Sequence, residues 1–117
     1  MPDQKFFRLD TDMLAEVMRE NTMFIVIMRE GSCYIPGPGG PPEDKLTPHT
    51  RYMFELIHFG KVTWFGPVRD NTDVKEIVIF NETEKGVVES LMNEDPDVRS
   101  KRMSFEIHPW TMHPKVV

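Results

Sequence analysis

The chain has 117 residues, about the length of one ordinary domain, and it is 39% hydrophobic and 28% charged, as is typical of a globular protein. Its formal net charge is −5, from 14 basic and 19 acidic side chains. This acidic balance argues against a nucleic-acid-binding protein, whose surface would carry a basic patch.

Cysteine content and hydropathy narrow the class further. Cys33 is the only cysteine, so one chain forms neither an internal disulfide nor a thiolate zinc site. We find neither a signal-peptide pattern nor an apolar run of membrane-spanning length,. We therefore expect one cytoplasmic domain over residues 1–117, with no membrane partner.

The first elements are a helix and a buried strand. A helical pattern covers about residues 11–21, where one face collects Met13, Leu14, Val17 and Met18,. The consecutive apolar residues from Met23 to Met28 then predict a strand buried on both faces,. Because helices in so small a domain cover only one face of a sheet, something else must cover the other.

A loop rich in glycine and proline follows at about residues 31–46. Half of its positions are one of these two residues, so regular structure is not expected there. A loop of this length is either functional or a mobile insertion. We leave both readings open: a lid over a neighbouring site, or a surface segment.

The stretch from Thr47 to Pro67 predicts a helix, a glycine stop and a strand. Thr47 suits the N-cap and Pro48 the first helical position,, so His49 stands in the first turn. The predicted buried stripe is Tyr52, Met53, Leu56 and Phe59,. Gly60 is expected to end the helix with a positive φ, and Lys61 to Phe65 has the composition of a strand,.

The last part of the chain predicts a strand, a helix and a strand. Val74 to Phe80 is strand-like, and Asn81 with Glu84 resembles a capping box that opens a helix ending near Asp95,. In the final strand, residues 102–110, one face would carry Met103, Phe105 and Ile107, and the other Ser104, Glu106 and His108,.

This order predicts an α+β fold. It is the ferredoxin-like βαββαβ arrangement with an extra N-terminal helix, in which the helices lie on one face of an antiparallel sheet. A homodimer that pairs two sheets would cover the other face as a dimeric α+β barrel. A cavity for a small-molecule ligand would lie between the sheets.

Three segments carry a resemblance to a known family. They are Pro48-His49 with its helix on to Gly66-Pro67, the sequence Glu94 to Val98, and His108-Pro109-Trp110. Together they resemble the YCII-related (YciI-like) family of dimeric α+β barrel proteins, over about residues 23–110. The resemblance implies a ferredoxin-like fold and a homodimer similar to muconolactone isomerases. It also implies a pocket with a histidine and an aspartate, which are His49 and Asp95 in this chain.

The resemblance implies acid/base chemistry on a small organic molecule. One branch of the family is implicated in dehydrochlorination of a chlorinated hydroxyquinol, so the activity would be isomerase-like or dehydrochlorinase- or lyase-like. The family commonly has a basic residue just before this proline, whereas Leu46 and Thr47 stand here. This departure favours the alternative, a non-catalytic ligand-binding or accessory homodimer.

In the catalytic hypothesis His49 is the base and Asp95 orients its ring. The helix start would lower the pKa of His49 and favour the neutral imidazole. In the alternative, His49 is a hydrogen-bonded helix residue and Asp95 caps the turn at Pro96.

The remaining site candidates are substrate-binding residues: Trp64, Gly66, Pro67 and His108. The tryptophans are equally well explained as core or dimer-interface aromatics. No glycine fingerprint or phosphate loop is present,, so no cofactor is expected. The histidine spacing does not require a metal site, and none is expected.

Overall fold

The computed structural model describes residues 10–20, 22–36 and 46–112. The helices are α1 (Thr11–Glu20), α2 (Pro48–His58), α3 (Lys85–Asn93) and α4 (Pro96–Arg99). The strands are β1 (Thr22–Glu30), β2 (Val62–Pro67), β3 (Val74–Phe80) and β4 (Met103–Thr111). The order of elements agrees with the prediction, apart from the short helix α4 after α3.

The strands form one antiparallel sheet in the order β2-β3-β1-β4. The two outer strands are β2, which follows α2, and β4, which follows α4. Strand β1 lies between β3 and β4. The fold is therefore α+β, with a four-stranded antiparallel sheet that is compatible with a ferredoxin-like arrangement.

The core lies between one face of the sheet, which we call the inner face, and helices α2 and α3. Alternation along β1 and β3 places every second side chain on this face. The fully or nearly fully buried apolar residues from the sheet are Val26, Met28, Val62, Val78 and Phe80, and those from α2 and α3 are Met53, Leu56, Val88 and Met92. The partly buried Met103, Phe105 and Ile107 of β4 pack against this core, as the alternation in that strand predicts.

The opposite, outer face of the sheet is largely aliphatic. Ile25 of β1 pairs with Ile79 of β3, and Ile27 pairs with Ile77; all four are only partly buried. Helix α1 makes no extensive contact with any other element. Among the described residues, the outer face thus has no helical layer comparable to that on the inner face.

Two local predictions need correction. Phe59 is 72% exposed, because α2 ends at His58 and Phe59 is its C-cap, beyond the last turn that faces the sheet. Helix α3 begins at Lys85 rather than at Asn81. The Asn81 N–H instead donates to the Lys61 carbonyl at 2.8 Å, and Glu84 is an N-cap without a side-chain hydrogen bond.

Other local signals agree with the structure. The Thr47 hydroxyl accepts from the Thr50 N–H at 3.1 Å, and Gly60 has a φ of 74° just after α2. Residues 31–36 and 46 of the predicted loop contain no helix or strand. Residues 37–45 lie outside the described part of the chain, so the prediction of a lid falls on residues that the structure does not describe. No described helix combines the length and the apolar character needed to cross a membrane.

Candidate functional site

His49 is buried although it lies in the first turn of α2. Thr47 caps the helix and Pro48 is its first residue. This fixes the direction in which the side chain of the next residue, His49, points. The histidine faces the sheet and is only 7% exposed. A buried imidazole needs hydrogen-bond partners for both of its ring nitrogens.

Two carboxylates supply those partners. The distance between His49 Nδ1 and Asp95 Oδ1 is 2.5 Å, and Nε2 is hydrogen-bonded to Glu76 Oε2. A carboxylate accepts hydrogen bonds and an imidazolium donates from both nitrogens. The geometry is therefore that of a protonated ring held between two negative charges. We call these three residues, Asp95, His49 and Glu76, the ionic centre.

The two carboxylates reverse the expected direction of the His49 pKa. Burial alone lowers the pKa, but the hydrogen bonds from Asp95 and Glu76 and their negative charges raise it to about 10. His49 is thus an imidazolium at neutral pH. The expectation of a neutral base was wrong, because the partial charge of a helix start is weaker than two full carboxylate charges in direct contact.

Asp95 serves two purposes at once. It is fully buried, and its Oδ2 accepts from the backbone N–H groups of Asp97 and Val98 at 3.1 and 3.2 Å as the N-cap of α4. Its Oδ1 holds His49. The pairing and the capping, which the sequence presented as alternatives, therefore coexist in one side chain.

Glu76 was missed in the sequence analysis. It lies on β3 with its side chain on the same face as Val78 and Phe80, and it is 9% exposed. A carboxylate in phase with core residues of a strand is a signal that the alternation alone contains. The four consecutive apolar residues from Ile77 to Phe80 mask this alternation in the sequence.

One oxygen of Glu76 lacks a hydrogen-bond partner in the described part of the chain. Its Oε2 binds His49, but Oε1 makes no hydrogen bond to any of the described residues. The Glu76 side chain is 12% exposed, against 9% for His49 and none for Asp95. Glu76 is therefore the most exposed member of the ionic centre.

The predicted substrate-binding residues divide between the two faces of the sheet. Pro67 pairs with Glu76 in the β2–β3 register and so lies on the side of the ionic centre. Trp64 and Gly66 pair with the outer-face residues Ile79 and Ile77, and His108 pairs with Ile25. The structure does not bring these three residues together with His49 and Asp95.

A groove lies beside the ionic centre, on the outside of the helices. It has a volume of about 420 Å³ and is lined by Leu46, Pro48, Arg51, Tyr52, Glu55 and Pro96, so the chain neighbours of His49 and Asp95 both border it. The Tyr52 hydroxyl donates to the Leu91 carbonyl at 2.7 Å. Burial, with the nearby negative charges of Glu94 and Asp95, raises the pKa of Tyr52 to about 12, so it remains protonated.

The described ranges contain no group of three or more histidine, cysteine, aspartate or glutamate side chains that could hold a metal ion. The ionic centre is accounted for by hydrogen bonds between its own members.

Comparison with known proteins leaves the geometry as the basis for interpretation. No protein-family model matches the chain, and no curated protein has a sequence that matches it. The resemblance to YCII-related proteins therefore remains a prediction.

Proposed function

We propose that the protein performs cofactor-independent acid/base chemistry on a small, ring-derived organic molecule, of the isomerase or lyase type. The observation that carries this proposal is the ionic centre. In it, the Glu76 carboxylate is bound through Oε2 to a buried, doubly hydrogen-bonded imidazolium, while its Oε1 has no partner among the described residues. The resemblance to the YCII-related family, with His49 and Asp95 as its functional pair, points to the same chemistry.

The roles follow from the charges. Glu76 Oε1 would take a proton from an acidic C–H or O–H group of the ligand. His49, already protonated, would balance the negative charge nearby, and Asp95 would hold the ring in place. Return of the proton to another atom gives an isomer, whereas loss of a leaving group gives an elimination product.

The proposal includes a homodimer. The aliphatic outer face formed by Ile25, Ile27, Ile77 and Ile79 is the surface that a second sheet would cover. A cavity between two such faces would also be bordered by Trp64, Gly66 and His108. This supports the dimeric α+β barrel that the sequence predicts. Because Glu76 lies on the inner face of the sheet, the ligand that it deprotonates would lie on the helix side and not in the cavity between the sheets.

A second candidate function has its own observation. Both ring nitrogens of His49 are engaged by carboxylates, so the ring itself has no free lone pair for a substrate. A non-catalytic homodimer that binds a small ligand is consistent with this arrangement. In that case the ionic centre stabilises the fold and does not transfer protons.

Proton exchange in D₂O distinguishes the catalytic function from the non-catalytic one. Small cyclic ketones and unsaturated lactones are incubated with the protein, and ¹H NMR follows the loss of their acidic C–H signals. We expect exchange with wild type and a loss of about 100-fold or more in Glu76→Gln. His58→Gln, at an exposed position of the same helix, is the control and should exchange at the wild-type rate.

The other outcomes are equally informative. Binding of a compound without exchange would select the non-catalytic function. A wild-type rate in Glu76→Gln would remove the ionic centre from the chemistry. For the homodimer, light scattering at micromolar concentration should give the mass of two chains, and Ile79→Glu should give one. A wild-type monomer would contradict the barrel.

A further inference from the structure

A second group of titratable side chains lies on the outer face, away from the ionic centre. Arg29 Nε donates to Glu106 Oε1 at 2.6 Å, and Arg29 Nη1 donates to Asp73 Oδ1 at 3.0 Å. The other oxygen of Glu106, Oε2, lies 3.2 Å from Nε2 of His108. These residues come from β1, β4 and the turn before β3, and they form a continuous hydrogen-bonded row.

His108 differs from His49 in the two properties that acid/base chemistry needs. Its side chain is 51% exposed, whereas His49 is buried. Only Nε2 has a partner, and Nδ1 of His108 makes no hydrogen bond within the described ranges. When Nε2–H donates to Glu106, Nδ1 carries the lone pair and is available to accept a proton from a ligand.

Glu106 is held in the charged state that this arrangement requires. The hydrogen bond from Arg29 lowers the pKa of the Glu106 carboxyl most, and the hydrogen bond from His108 lowers it further. The Arg29 guanidinium is itself fixed from its other side by Asp73. The carboxylate is therefore both charged and oriented, which is how a neighbouring carboxylate supports an imidazolium.

Apolar side chains lie beside His108 on the same face. Ile25 is its direct cross-strand partner, and Ile79 follows on the other side of Ile25. Trp110 lies two residues farther along β4, so its side chain is on the same face,. Lys75, another cation of this face, is paired with Glu30 at 3.2 Å. A planar ring would lie on the isoleucines with its polar atom at His108.

We propose that His108, supported by Glu106, is a second proton acceptor of this protein and binds small planar compounds with one acidic hydroxyl. The hydroxyl O–H bond breaks, its proton joins Nδ1, and the oxygen keeps the electron pair. The products are an oxyanion and an imidazolium that faces the oxyanion on one side and Glu106 on the other. The site faces the cavity between the sheets of the proposed homodimer and rests on that part of the proposed function, but it uses neither Glu76 nor His49.

The test uses two matched probes, 4-nitrophenol and 4-nitroanisole, which share a ring but differ in the acidic hydroxyl. The His108 ring proton resonance is assigned by its disappearance in His108→Gln. In wild type, 4-nitrophenol should move this resonance and bind as the phenolate, which is read from its visible absorbance. The methyl ether should do neither.

The variants decide the outcome. His108→Gln and Glu106→Gln should each weaken phenolate binding by about tenfold or more, as expected for loss of a charge-assisted hydrogen bond. His58→Gln should leave it unchanged, and circular dichroism shows that each variant is folded. Equal binding of the two probes, or wild-type binding in folded His108→Gln, would overturn the proposal. This readout at His108 is separate from proton exchange at Glu76, so the two proposals fail independently.

Discussion

The ionic centre predicts a specific loss of stability at alkaline pH. The His49 pKa is about 10 in the folded protein, against 6.5 for the free side chain. Because the folded state holds this proton more tightly, its stabilising effect is complete below pH 6.5 and is lost as the pH rises towards 10,. The difference in pKa, 10 − 6.5 or about 3.5, corresponds to as much as about 5 kcal/mol in the free energy of unfolding.

The assay is urea denaturation followed by circular dichroism at several pH values from 6 to 10. Between these pH values, wild type should lose most of the about 5 kcal/mol that protonated His49 contributes to the free energy of unfolding. His49→Gln should be less stable at low pH and show a much flatter dependence, since glutamine carries no titrating proton. His58→Gln, exposed on the same helix, should follow wild type.

Comparison with the control isolates His49 from the other groups that titrate in this range. Those groups contribute equally to both histidine variants, so the difference between the curves is the relevant quantity. If the His49→Gln variant does not fold, Glu76→Gln serves instead and should reduce the slope. An alkaline slope in His49→Gln equal to that of His58→Gln would refute the protonated, ion-paired histidine.

Substitutions at Gly31, Lys101 and Thr47 give further predictions about backbone conformation and helix capping. Each change in the free energy of unfolding is measured from the urea midpoint. Gly31→Ala should destabilise by about 1–3 kcal/mol, because a Cβ there would lie 2.3 Å from the Lys101 carbonyl oxygen; its control is Gly86→Ala in α3, where a Cβ meets nothing within 4 Å and a gain of up to about 1 kcal/mol is expected. Destabilisation by Gly86→Ala equal to that of Gly31→Ala would contradict the steric explanation. Lys101→Gly should stabilise by about 1 kcal/mol by removing a non-glycine residue at φ 62°,, and a loss would show that the Lys101 side chain matters more. Thr47→Ala should cost about 1 kcal/mol through loss of the cap on α2,; Thr63→Ala, at an exposed strand position, is the comparison.

The elements were predictable where the signal is local. Thr47 and Pro48 mark the start of α2, and the positive φ of Gly60 follows its end. The same reasoning failed for the start of α3, because the Asn81 N–H donates to the carbonyl of Lys61, just before β2. A capping box competes there with a long-range hydrogen bond, which a short sequence window does not contain.

The candidate site was predictable only in part. His49 and Asp95 were singled out through the family resemblance, and they do lie in contact. Glu76 was recoverable from its position in the strand alternation but was overlooked beside an apolar run. The separation of Trp64 and His108 from this site follows from strand register, which depends on pairing between distant parts of the chain.

By itself, the sequence determined which segments form helices and strands and which faces of them are apolar, because caps, glycines and periodicity act over a few residues. Only the tertiary structure decided the chemistry of His49. Its partners lie 27 and 46 residues away along the chain, and packing of α2 against the sheet and α4 brings them into contact. A pKa depends on burial and on the distance to other charges, so its direction was set by that packing and not by the helix start in which the histidine lies.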